Sequence, residues 1–276
     1  MTDKNEITII KPAEGLLAFD FRELSRYSEL FYFLAKRDIK VRYKQTVLGG
    51  LWAIIQPAFA MIVFSVFLGR MAHMPSDNVP YPVFVYAGLL AWTYFANALA
   101  AAGESMVSNA NLITKVYFPR LIVPAAAALA GLLDFFIASF LLAAMMLWYG
   151  IYPGAAVLLF PVLIGLTFFC AIGAGLWLAA LNVEYRDIRY VIPFLIQLWM
   201  FASPVIYPSS IVPARYQWLI AVNPMAGVIK AFRACLLGTQ PVDWVSLGVS
   251  SAVIILLLVS GLFYFRRMER TFADVV

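Results

Sequence analysis

The chain has 276 residues, 63% of them hydrophobic and only 13% charged, with a formal net charge of +5. That balance is too apolar for a soluble domain, and no folded basic region is present to grip nucleic acid. The surplus of cations suits anionic lipid headgroups instead.

Residues 1–27 read as a polar cytoplasmic lead, too long and too polar to be a cleavable signal peptide. Residues 28–46 carry a helical period: Leu30, Leu34 and Val41 share one face with Phe31 and Phe33 beside it, and Lys36, Lys40 and Lys44 line another. This predicts an amphipathic helix lying in the membrane interface. Residues 47–276 form the transmembrane domain. A span needs roughly 20 mostly apolar residues to cross about 30 Å of hydrocarbon. Six segments qualify, near Leu51–Arg70, Val83–Gly103, Leu121–Tyr149, Ala155–Leu181, Val191–Tyr207 and Val245–Phe265. The fold class is therefore an all-α polytopic membrane protein.

Between the spans, three segments stand out. SNANLITKVYFPR (Ser108–Arg120) predicts a short helix capped by Ser108 or Asn109 and stopped by Pro119. Its apolar residues Leu112, Ile113, Val116 and Phe118 press either under the chain's own bundle or into a soluble partner. NVEYRDIR (Asn182–Arg189) is a compact charged turn whose charges can pair locally. The stretch from Pro208 to Asp243 is the longest outer loop; Ile211–Leu219 and Met225–Leu236 read as short helices re-entering the membrane edge, broken by Pro213 and Asn223-Pro224.

Charge sets the orientation. Lys4, Lys11, Arg22, Arg26, Lys36, Arg37, Lys40, Arg42 and Lys44 precede the first span; Lys115, Arg120, Arg186, Arg189, Arg266, Arg267 and Arg270 fall on the same side. Only Arg70, Arg215, Lys230 and Arg233 fall on the other, which places both termini in the cytoplasm.

Energy-converting chemistry is missing from the sequence. No G-x-x-x-x-G-K-[ST] phosphate loop is present, so the chain does not hydrolyse ATP alone. His73 is a lone outer-loop histidine, and Cys170 and Cys235 are isolated, so neither a catalytic set nor a metal site is expected. Asp134 is the only carboxylate deep in a span, and it must face the interior, pair or be protonated. Glu104 sits at the cytoplasmic end of the second span. Gln56, one turn inside the first span beside Pro57, serves either an interhelical hydrogen bond or a pore. Most of the 22 Phe, 14 Tyr and 7 Trp fit an interfacial belt, Trp52 among them. Phe64, Phe67, Trp199, Phe201 and Tyr207 could instead stack on sugar rings.

Four blocks carry a resemblance: KRDIKVRYKQTVLGGLWAIIQP (Lys36–Pro57), SNANLITKVYFPRLIVP (Ser108–Pro124), NVEYRDIRYVIPFLIQLWMFASPVIYP (Asn182–Pro208) and NPMAGVIKAFR (Asn223–Arg233). Together they resemble the membrane subunit of bacterial ABC-type polysaccharide exporters, the family that carries O-antigen, capsular and teichoic acid chains. The resemblance implies a homodimer in the bacterial inner membrane with two copies of a separate ATPase, which binds the ATP and magnesium; this chain binds no cofactor. It implies an interface helix at residues 28–46 and a coupling helix built on Asn109, Asn111, Leu112, Ile113, Lys115, Phe118 and Arg120. The first and fifth spans would line the channel, making Trp52, Gln56, Phe64, Phe67, Trp199, Phe201 and Tyr207 the candidate wall. Small helices of the outer loop would close its far end. A glycan on undecaprenyl diphosphate would present its diphosphate to Arg37, Arg42 and Lys44. Competing readings are a drug or lipid exporter of the same superfamily, a proton-coupled carrier working through Asp134, and a non-transporting scaffold.

Overall fold

A computed structural model describes residues 26–44, 46, 48–238, 240–269 and 272. Within these residues the regular structure is helical throughout. The polar lead lies outside them except for Arg26 and Tyr27.

Helix α1 (Ser28–Tyr43) forms where a helix was expected. Leu34 and Ala35 are its buried residues, with Tyr27, Leu30 and Phe31 packed beside them. Val41 is not on that face but exposed, because the buried stripe runs through Ala35 and does not continue to the last turn. After Gly49–Leu51, helix α2 (Trp52–Phe64) continues as a wide π-helical turn over Ser65–Met71. Helix α3 (Tyr81–Ser108) is the central pillar: it contacts nearly every other long helix and buries a face from Val83 to Met106. The short helix α4 (Ala110–Lys115) follows where it was expected.

The expected third span is present over Ile122–Trp148, as helices α5 (Ile122–Ala130) and α6 (Leu132–Trp148) that meet at Gly131. α5 lies along α1. Helix α7 (Phe160–Glu184) packs between α3 and the last helix, α11 (Trp244–Glu269).

The expected fifth span is shorter than read from sequence. Helix α8 (Ile188–Ala202) ends at Ala202, not Tyr207. The cause is Pro204, which lacks an amide hydrogen and disfavours the helical conformation at Ser203. At 1.5 Å per residue its 15 residues reach about 22 Å, less than the hydrocarbon thickness. Among the described residues, five helical segments are long and apolar enough to cross a membrane: Gly49–Met71, Tyr81–Ser108, Ile122–Trp148, Ala155–Glu184 and Trp244–Glu269.

The stretch from Pro208 to Asp243 also differs in part. Its first half is irregular, with single turns at Ser209–Ile211 and Ala214–Tyr216 before helix α9 (Gln217–Val222). Its second half is helix α10 (Pro224–Leu237), in which every residue but Lys230 is buried.

Burial is uneven. Only Pro57 is buried in α2, and only Ile192 in α8. Both helices turn rows of large apolar side chains outward, among them Phe59, Ile62 and Phe67 on α2, and Phe194, Leu198 and Phe201 on α8.

Candidate functional site

A cavity of about 440 Å³ opens between α1, α2, α3 and α6. Its wall is polar for a chain this apolar. α3 is buried on most of its surface but leaves one stripe uncovered, where Thr93, Asn97 and Glu104 lie on a single face with Ala100 and Ala101 between them. α2 contributes Trp52 and Gln56, α1 contributes Arg42 and Tyr43, and α6 contributes Asp134. Tyr94 also lines the cavity; it is 3% exposed, and its buried hydroxyl has no hydrogen-bond partner among the described residues. From Thr93 to Glu104 the stripe runs about 16 Å along the helix.

Asp134 is paired, one of the outcomes expected of a carboxylate inside a span. Because α1 lies along α5, the end of α1 arrives beside the first turn of α6. Arg42 and the Tyr43 hydroxyl both donate to the Asp134 carboxylate, and Arg42 forms an ion pair with it. Burial, and then the Asp134 carboxylate, push the Tyr43 phenol above its ordinary value, so it remains a donor. A second tether joins α1 to the turn before α4. Arg37 donates to Asp38 at 2.9 and 2.7 Å and to the Asn109 amide oxygen at 2.7 Å.

These contacts locate the candidate entrance residues. Arg37 and Arg42 both hold carboxylates, whereas Lys44 is exposed and carries no ion pair among the described residues. The coupling candidates divide as well. Ile113 and Phe118 are buried in the chain's own core, and Leu112 is half-buried. Asn111, Lys115 and Val116 face outward. Asn109 precedes α4, but its side chain does not cap that helix; it donates to the Ser105 carbonyl at 2.8 Å. Arg120 donates to the Glu269 carbonyl and lies over the Phe272 ring, fastening this loop to the end of α11.

The channel candidates are not gathered in one place. Trp52 and Gln56 line the cavity, whereas Phe67 and Phe201 are exposed on the outward faces of the α2 segment and of α8. Phe64 packs partly against the core. Trp199 donates to the Asn223 amide oxygen at 3.0 Å and meets the Phe95 ring edge-on at 4.9 Å. The Tyr207 hydroxyl donates to the Phe201 carbonyl at 3.2 Å.

Asn223 and Arg233 are structural keys that sequence reading did not single out. The break at Pro204 frees backbone carbonyls at the end of α8. The Asn223 amide donates to the Ala202 carbonyl at 3.2 Å and to the Ser203 hydroxyl at 2.9 Å, while its oxygen accepts from the Met225 amide and caps α10. Arg233 donates to the carbonyls of Phe84 (3.1 Å), Pro204 (2.7 Å) and Val205, with its guanidinium 3.7 Å from the Phe84 ring centre. α8 is thus latched to α10 and α3 at its C-terminal end. The sequence signal for the cavity was available: Thr93, Asn97 and Glu104 are polar residues at helical spacing inside an apolar span.

Comparison with known proteins bears on the same elements. Residues 29–237 match the family described as ABC-2 type transporter. The chain is 31% identical over 260 residues to the O-antigen export system permease protein RfbA of Myxococcus xanthus, covering 92% of this chain and 98% of that protein. It is 30% identical over 253 residues to the RfbA permease of Klebsiella pneumoniae, covering 90% and 95%. It is 25% identical over 236 residues to the polysialic acid transport protein KpsM of Escherichia coli, covering 84% and 91%. The matched region runs from α1 through α10 and so takes in both tethers and the latch, and the chain belongs to the ABC-2 type transporter family of multi-pass membrane proteins.

Proposed function

We propose that this chain is the channel-forming membrane subunit of an ATP-driven exporter that moves undecaprenyl-diphosphate-linked, O-antigen-like polysaccharide across the bacterial inner membrane. The observation that carries the reading is its likeness, over almost the whole of both chains, to permeases named for O-antigen export. The chain works as a homodimer with two copies of an ATPase subunit, and both termini are cytoplasmic. α8 is then a sixth, short crossing, accommodated by local thinning or by its partner in the dimer. The unburied apolar faces of α2 and α8 support a dimer, since a second copy would cover them and enclose a path wider than one six-helix bundle allows.

The tethers support a route for the work of ATP. The exposed residues Asn111, Lys115 and Val116 of the α4 loop meet the ATPase. Movement of that loop pulls on α1 through Arg37 and Asn109, and α1 pulls on α6 and α2 through Arg42 and Asp134. Lys44, with the outward-facing Lys36 and Lys40, meets the diphosphate at the cytoplasmic mouth. ATP and magnesium act in the partner ATPase, and this chain binds neither.

Deletion of the gene tests the reading. The expected result is loss of glycan from the cell surface with lipid-linked glycan held in the inner membrane, and the same result when the partner ATPase is catalytically dead. Normal surface glycan in a strain lacking a second exporter would overturn the proposal and favour a drug or lipid exporter.

A further inference from the structure

We infer that the cavity between α1, α2, α3 and α6 is a carbohydrate subsite, in which Gln56, Thr93 and Asn97 hydrogen-bond the hydroxyls of uncharged sugar units. The inference rests on the exporter reading and adds a binding site to it.

Polar groups at this position demand a partner. Hydrocarbon satisfies no amide or hydroxyl, so a polar stripe on a membrane-depth helix faces water or a polar ligand.

The chemistry of the wall selects the ligand. Amides and hydroxyls both donate and accept, as sugar hydroxyls do, whereas a phosphate can only accept. Charge points the same way. Arg42, the one cation on the wall, is matched by Asp134, and Glu104 leaves a surplus negative charge. A diphosphate would meet repulsion here, while a neutral sugar would not. The volume, about 440 Å³, falls within the ordinary range for small-ligand sites, and Trp52 at the α2 side offers an aromatic face.

The test uses the exporter complex in nanodiscs and, as probe, the glycan freed by mild acid from the lipid-linked pool of the deletion strain, which carries no diphosphate. Equilibrium binding to wild type is expected, with no displacement by inorganic pyrophosphate. Asn97→Leu and Gln56→Leu should each weaken binding about tenfold, and Asn97→Gln, which keeps the amide, by no more than about threefold. Because Cys170 and Cys235 are buried, Asn97→Cys can be alkylated selectively in the folded protein. A bulky maleimide there should abolish binding, which separates occlusion from misfolding. Wild-type affinity in the leucine variants or in the alkylated protein would overturn the subsite, as would displacement by pyrophosphate. If the deletion strain accumulates no lipid-linked glycan and keeps its surface glycan, it is the exporter reading that has failed.

Discussion

Arg233 offers the sharpest test of how the C-terminal end of α8 is held. Its guanidinium is buried against three backbone carbonyls, two of them freed by the break at Pro204, and no carboxylate bonds to it directly among the described residues. Arg233→Met keeps the apolar stem and removes every donor. Each stranded carbonyl then costs about 1–3 kcal/mol, so three cost roughly 3–9. Removing the cation returns several kcal/mol, because its own desolvation no longer has to be offset. The net expectation is a loss of about 3 kcal/mol, or roughly 6–12 °C in melting temperature on the scale of soluble domains. Arg233→Lys, a point charge unable to fork across the carbonyls, should fall between. Gly88 provides a cross-check. A Cβ there would lie 2.5 Å from the Arg233 Nη2 and 2.7 Å from the Val205 carbonyl oxygen, so Gly88→Ala should also destabilise. In the Arg233→Met background its cost should shrink, since one of the two obstacles has gone, whereas independent sites would add. Thermal unfolding of the wild type and these four variants in one detergent measures all of this. An Arg233→Met protein within about 1 °C of wild type would refute the latch.

Three further outcomes follow from other contacts. Asp134→Asn keeps an acceptor for Arg42 and Tyr43 and should cost about 1 kcal/mol while surface glycan persists; abolished transport would revive the proton-carrier reading. Gly261→Val places a Cβ into the backbone carbonyl of Gly173, where α7 and α11 cross, and should cost about 3 kcal/mol in the same melting assay; an unchanged melting temperature would contradict that close approach. Asp243 accepts from Lys230 at 2.7 Å and from the Ser246 amide at 3.1 Å, which holds its carboxyl below the usual range. A depressed carboxylate stabilises above its unfolded value and loses that contribution as pH falls through its folded one. The advantage over Asp243→Asn, under about 1 kcal/mol for so exposed a pair, should therefore be constant above about pH 5 and shrink below about pH 4.

Much of this architecture is written in one-dimensional signals. Long apolar runs mark α2, α3, α7 and α11, and the Asn223-Pro224 break marks the start of α10. One element runs shorter than the sequence suggests because a local rule was outweighed by a longer pattern. The apolar run through Val205 and Ile206 suggested a span continuing to Tyr207, although Pro204 had already signalled the stop. The site was harder to read because its contacts are distant in sequence. Arg42 and Asp134 are 92 residues apart, and Arg233 and Phe84 are 149. No periodicity connects such pairs; only the lie of α1 along α5, and of α10 beside α3, brings them together.

Burial also shows where the molecule can move. α3, α7, α10 and α11 share a core of interlocked side chains and close glycine contacts, so shifting any one of them opens voids and strands buried groups. α2 and α8 bury one residue each, so shifting either of them uncovers less apolar surface than shifting a core helix, with Met61 and Phe64 on α2 and Leu195 and Trp199 on α8 half-buried against the core. Each is nevertheless held at an end: α2 follows the α1 turn fixed by Asp134, and α8 ends at the carbonyls gripped by Arg233 and Asn223. A helix with little packing and one firm end pivots more cheaply than it translates. Swinging α2 away from α3 would enlarge the cavity beside Gln56 and Asn97 without breaking the tether at Asp134. The polar stripe of α3 would stay fixed in the frame while the wall opposite it opened, which is the arrangement a subsite needs if it is to pass a chain along and not merely hold it.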